Sequence, residues 1–172
     1  MILFDSEKEF EDMLCEHLDH GEWIVESDHS DKYKRQLNLG KCGIVDLAVK
    51  TSKENPFVKG KIIEKLKIVE LKTTELHHSH LSQIARYKTF FDSAAYDIEM
   101  DYILICKKSD VHKGDLVFLA QDIDWLTVYE YSFSLTEGIV FKILQGWHIN
   151  QESEDLENCV NTVSEYLEVN NG

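Results

Sequence analysis

The chain is poor in the features that staple, span or punctuate many small proteins. It has one proline, Pro56, and eight glycines in 172 residues, so few positions force a break. Its four cysteines, Cys15, Cys42, Cys106 and Cys159, are scattered with no CxxC pair. That argues against a zinc knuckle or a disulfide framework, and the cysteines read as reduced, mostly buried thiols. No apolar run approaches the roughly 18 residues of a membrane span, and Met1-Ile2-Leu3-Phe4 leads straight into acids rather than a signal-peptide core. A soluble, intracellular, cytoplasmic protein is expected, with no membrane partner. Repeats, low-complexity tracts and domain linkers are absent, so residues 1–172 read as a single domain.

Positive charge is also scarce, with 18 Lys and Arg against 32 Asp and Glu, a net charge of −14. Such a balance opposes phosphate binding. The distribution is uneven, however. Residues 1–30 carry ten acids and one base, residues 31–92 seven acids and thirteen bases, and residues 93–172 fifteen acids and four bases. The middle of the chain is basic, and the acidic flanks read as solvated outer faces.

Ser6 with Glu9 three residues later forms a capping-box pattern, followed by Phe10, Met13, Leu14 and Leu18 at helical spacing. This predicts a first helix ending near Gly21. Trp23-Ile24-Val25 is a short strand candidate. Tyr33 to Leu39 reads as a strand that Gly40-Lys41-Cys42-Gly43 turns back into Ile44–Val49, a buried strand apolar except for Asp46. Thr51 to Gly60 reads as a loop, and Lys61 to Lys72 as a second central strand. Leu81, Ile84, Ala85, Lys88 and Phe91 mark one side of a second helix. Tyr102–Cys106 is another buried strand, Leu116–Ala120 a short apolar element, and Leu126–Phe133 and Ile139–Leu144 further strands. Leu156, Cys159, Val160, Val163 and Leu167 form a terminal amphipathic stripe. It offers a homodimer face, although packing on its own domain is commoner. The order implies an α/β fold, a central mixed sheet flanked by helices.

A carboxylate inside an apolar strand is costly to bury, so Asp46 needs a cation, a metal or hydrogen-bond donors. The same holds for Glu70 and Lys72, which share a face because side chains alternate along a strand. If the Asp46 and Glu70 strands pair, two carboxylates and an ammonium converge. Two carboxylates with a backbone carbonyl suit Mg²⁺, with Mn²⁺ as a substitute. Lys72 would then orient water or stabilise charge on a phosphate. The bland alternative is a structural ion-pair cluster. Gln83 and Tyr87, four apart, share a helix face, which suits Gln83 to holding a water or ligand and Tyr87 to reaching a phosphate, or both to a plain surface pair. Arg86 and Lys88 are candidate phosphate contacts or ordinary surface charges. His77, His78 and His80 lack evident partners for a tetrahedral zinc site.

Gly43-Ile44-Val45-Asp46-Leu47, Ile68-Val69-Glu70-Leu71-Lys72 and Gln83-Ile84-Ala85-Arg86-Tyr87 together resemble the PD-(D/E)xK nuclease superfamily with its QxxxY helix. Val45 replaces the proline of the name. Arg35-Gln36-Leu37 also resembles the lead-in of restriction-type members, such as the nuclease domain of type I restriction motor subunits. The resemblance covers about residues 6–106 and leaves about 107–172 as a C-terminal extension. It implies a restriction-endonuclease-like fold and metal-dependent hydrolysis of phosphodiester bonds in DNA, with an endonuclease slightly favoured. Asp46, Glu70 and the carbonyl of Leu71 would bind metal, with Lys72 and Gln83 in the catalytic set. A first-helix glutamate often completes such sites: Glu11 is the first choice and Glu7 the second. Tyr87, Arg86 and Lys88 would face nucleic acid. The rivals are a nuclease-fold module that no longer cuts and an acidic DNA mimic. A chain this acidic also invites a basic protein partner for targeting.

Overall fold

The computed structural model describes residues 4–19, 32–94, 98–109 and 114–144. Helix α1 spans Glu7–Asp19. It starts where expected: the Ser6 hydroxyl accepts the Glu9 N–H at 3.2 Å, and the Glu9 carboxylate reaches back to the Asp5 N–H at 2.8 Å. Strand β1 (Lys32–Asn38) then turns through a short 3₁₀ segment, Gly40–Cys42, into β2 (Ile44–Glu54). Next come β3 (Ile62–Glu75), α2 (His78–Ser93), β4 (Glu99–Lys107), α3 (Gly114–Gln121), β5 (Leu126–Ser134) and β6 (Gly138–Ile143). The strand candidate Trp23–Val25 and the stripe Leu156–Leu167 lie outside the described residues.

The six strands form one mixed sheet in the order of the chain, β1 to β6. Neighbours are antiparallel except β3 with β4 and β4 with β5, which are parallel. Parallel neighbours need a crossover rather than a hairpin, and α2 and α3 provide the two crossovers. The short apolar element at Leu116–Ala120 is therefore a helix. The expected loop from Thr51 to Gly60 is shorter than its polar composition suggests. β2 runs on to Glu54, paired as far as Glu54↔Ile62, because the exposed ribbon is held by its ladder and by a Lys50–Glu64 ion pair of 2.7 Å.

Both faces of the sheet are covered. Leu81, Ile84, Tyr87 and Phe91 of α2 and Leu116 and Ala120 of α3 pack on one face against Ala48, Ile68, Leu104 and Val128. Phe10 and Leu14 of α1 pack on the other, against Leu47, Val69, Leu71, Ile103 and Tyr131. Each fully buried aliphatic or aromatic side chain contributes roughly 1.5–3 kcal/mol. Burial on both faces explains why β2, β3 and β4 read as near-continuous apolar runs. Cys15 and Cys106 are buried, Cys42 is half-buried, and none of the three forms a disulfide among the described residues. Among the described residues no helix is long and apolar enough to cross a membrane.

The turn into β2 depends on one glycine. Gly43 has φ 117°, and a Cβ built there would lie 3.2 Å from Cε1 of Tyr87. A side chain would be strained by the backbone and would also press on a buried ring. Gly43→Ala should therefore lower unfolding stability by about 2 kcal/mol, measured by urea denaturation. A neutral result would mean that Tyr87 is not seated against this turn.

Candidate active site

The site begins where the sheet comes apart. The β2–β3 pairing ends at Leu47↔Val69, one residue short of Asp46 and Glu70. On the other side, the β1–β2 pairing includes Arg35↔Leu47 and Leu37↔Val45 but skips Gln36 and Asp46. Asp46 thus lies at a gap on both sides, and its side chain replaces the missing ladder. Oδ2 accepts the Leu71 N–H at 2.8 Å, and Oδ1 lies 3.4 Å from the Gln36 amide nitrogen. Beyond Leu71 the β3–β4 register shifts before Glu75, so Lys72 sits at an irregularity that re-aims the strand.

Glu70 is completely buried and Lys72 nearly so. The Lys72 ammonium donates to Glu70 Oε1 at 2.7 Å and to Glu7 Oε1 of α1 at 3.2 Å. Glu70 Oε2 is buried with no hydrogen-bond partner among the described residues. The Tyr87 hydroxyl lies beside Glu70 but gives its proton to the Ile44 carbonyl, at 2.6 Å. Burial, with the Asp46 charge behind it, pushes the Glu70 carboxyl up to about 7 despite the pull of Lys72. Burial also raises Asp46, against the opposing effects of the Leu71 N–H and Lys72. Burial alone would lower Lys72, but Glu70, Glu7 and Asp46 outweigh it and the net shift is upward. The surrounding carboxylates thus favour the ammonium form of Lys72 in this arrangement.

The two helix-one glutamates take different places. Glu11 is buried and accepts from Arg35 Nε and from the Gln36 amide, the latter at 2.5 Å, while the other arm of Arg35 holds Asp12. Glu7 is half-exposed and pairs with Lys72. Through Gln36, Glu11 is tied to Asp46; Glu7 is held by Lys72, and its charge, like that of Glu11, acts on Asp46. Among the described residues no three His, Cys, Asp or Glu side chains converge as a ready metal cage. The carboxylate oxygens that have partners are held by Lys72, Arg35, Gln36 and the Leu71 N–H instead.

The second helix is used differently from the sequence expectation. Tyr87, expected to reach a phosphate, is fully buried against Gly43, and Gln83 donates to its hydroxyl at 2.7 Å. The QxxxY pair is a strut that fixes the start of β2, two residues before Asp46. Arg86 is exposed. Lys88 pairs with Asp92 at 2.7 Å and lies over the rings of Tyr102 and Trp125. His77 caps α2, accepting from the Ser79 N–H, while the buried His80 Nδ1 accepts the His77 N–H. Burial and the nearby Lys72 hold His80 down to about 4, so it is neutral at neutral pH. Gln36 is the site residue that composition and spacing did not single out. Its only sequence signal was its place in the Arg35-Gln36-Leu37 lead-in.

No family model, curated protein or solved structure matches the chain. The reading of the site therefore rests on its own chemistry.

The raised Glu70 carboxyl has a consequence for stability. Between about pH 4.5 and about pH 7 the folded state keeps a proton that the unfolded chain has released, so the Glu70 contribution is favourable below that window and is lost as pH rises through it. Each tenfold difference in proton affinity between the folded and unfolded chain is worth about 1.4 kcal/mol, enough to move the melting temperature measurably. In EDTA, Glu70→Gln should gain in melting temperature relative to the native chain as pH goes from about 5 to about 8. A gap that stays constant would mean that Glu70 is not the strained group.

Proposed function

We propose that the chain is a divalent-cation-dependent nuclease of the PD-(D/E)xK kind, with a restriction-endonuclease-like fold. It hydrolyses phosphodiester bonds in DNA, with endonucleolytic cleavage slightly favoured. The observation that carries this reading is Glu70. A fully buried carboxylate with one oxygen on Lys72 and the other without a partner among the described residues lies beside a second buried carboxylate, Asp46, where the sheet opens. Two such groups repel until a cation neutralises them. Asp46 and Glu70 Oε2, with the Leu71 carbonyl that the family resemblance adds, are hard oxygens and fit Mg²⁺ or Mn²⁺ better than zinc. Glu11 is the candidate further ligand. A bound cation of this kind would acidify water and polarise the scissile phosphate.

The chain's own residues supply the rest. Lys72, kept as an ammonium by Glu70 and Glu7, is suited to stabilising charge that develops on a phosphate oxygen. Gln83 and Tyr87 brace the strand that carries Asp46. Arg86, exposed in the basic middle of the chain, is the better candidate for a backbone-phosphate contact than Lys88, which already has partners. The net charge of −14 favours a second reading, a non-cutting binding or assembly module or a DNA mimic. Against it stands the placement of the three charges, which are buried at a gap in the sheet rather than spread over a face. A basic partner would reconcile the acidic total with DNA targeting.

The test is a cleavage panel with Mg²⁺, Mn²⁺ or EDTA on linear, circular, single-stranded and branched DNA. Alanine at Asp46, Glu70 or Lys72 should slow cleavage by about 100-fold or more while circular dichroism shows an intact fold. A variant that cuts at the native rate would move the site elsewhere, and no cleavage by the native chain under any condition would favour the binding-module reading.

Metal should also raise the melting temperature by mass action. Asp46→Asn should lose most of that rise. Arg86→Ala should weaken DNA binding about equally across sequences and flatten its salt dependence. Filter binding from low to moderate salt measures both effects, and unchanged affinity would take Arg86 out of the DNA surface.

A further inference from the structure

Gln36 is the one residue other than glycine, among those described, with a positive φ, at 50°. It sits in the middle of β1, where an extended backbone is the rule. Glycine, asparagine and aspartate adopt this left-handed conformation most easily, so a glutamine here carries strain that its backbone alone does not explain. An observed outlier of this kind is a reason to ask what its side chain does.

The side chain has a definite task. The residue is exposed at the surface, but its amide nitrogen turns inward, 2.5 Å from Glu11 Oε2 and 3.4 Å from Asp46 Oδ1. A terminal amide has two N–H donors, one for each carboxylate. The left-handed turn also removes Gln36 from the β1–β2 ladder at the one position beside Asp46. Arg35, the residue before it, clamps the other side of Glu11 and also Asp12. Two acidic groups on different elements, one on α1 and one on β2, are thus joined by a single neutral donor.

We propose that Gln36 is a positioning residue. Its amide holds Glu11 against Asp46, so that the helix-one carboxylate belongs to the cation site rather than to the outer face of α1. This inference rests on the nuclease reading for the cation. Its own content is the link Gln36–Glu11–Asp46, which makes Glu11 rather than Glu7 the further ligand.

The test uses the full chain and Mn²⁺ alone, with affinity measured by calorimetry or by electron paramagnetic resonance, and melting temperature measured in EDTA. Gln36→Gly removes the amide while relieving the backbone, so it should melt at or near the native temperature yet bind Mn²⁺ about ten-fold more weakly. Glu11→Gln should lose about as much affinity, and the double variant should lose little more than either single, because both changes break one link. Gln36→Asn, which tolerates the same backbone and keeps an amide one methylene shorter, should lie between native and glycine and serves equally if the glycine variant does not fold. Native affinity in Gln36→Gly or Gln36→Asn, or full additivity with Glu11→Gln, overturns the inference. In that case Asp46→Asn still losing Mn²⁺ leaves the nuclease reading standing. If the native chain binds no Mn²⁺, or Asp46→Asn binds it unchanged, both are overturned.

Discussion

The hydrogen bond from the Leu71 N–H to the Asp46 carboxylate is the contact on which the rest of the site depends. Where β2 and β3 stop pairing, backbone groups in the middle of a covered sheet lose their partners, and an unpaired buried N–H is costly. A side chain meets that need in place of the ladder, and the strands can then part without an orphaned donor. The opening, the inward turn of Asp46 and the approach of Glu70 are three aspects of one departure from regular sheet geometry. Everything packed around it, from Phe10 and Leu14 on one side to Ile84 and Tyr87 on the other, keeps that departure in a single arrangement.

The electrostatics follow from the same departure. Five carboxylates, of Glu7, Glu11, Asp12, Asp46 and Glu70, gather round one lysine, one arginine and one glutamine amide. The positive groups are fewer than the negative ones they face, and the second oxygen of Glu70 has no partner among the described residues. A site short of positive charge in a buried, hard-oxygen setting has the electrostatics that a divalent cation suits. The strut from Gln83 through Tyr87 to Ile44, seated on Gly43, holds the β2 end of this arrangement in place from the opposite helix.

Much of the architecture was legible in the sequence because period and burial agree there. The apolar runs around Asp46, Glu70 and Tyr102 suit buried strands, and Leu81 to Phe91 repeats at a helical period. The placement of Glu70 and Lys72 on one face followed from alternation alone. Less was legible where tertiary contacts override composition. Polar residues 51–54 read as loop, yet the ladder carries them as strand. The spacing of Gln83 and Tyr87 offered Tyr87 as a phosphate contact or half of a surface pair, whereas its hydroxyl donates to the Ile44 carbonyl. Gln36 was hidden because a left-handed residue within a strand leaves no periodic trace; only its backbone angle and its two acceptors reveal it.

The central claim is that Asp46, Glu70 and the Leu71 carbonyl form a cation site that serves phosphodiester cleavage. Anomalous diffraction from crystals soaked in Mn²⁺ tests the site itself without relying on a chosen substrate. The account predicts one peak between the Asp46 and Glu70 carboxylates, within coordinating distance of the Leu71 carbonyl, with Glu70 Oε2 among its ligands. No peak there, with Glu70 still held by Lys72 alone, or a peak only at another cluster, would contradict it.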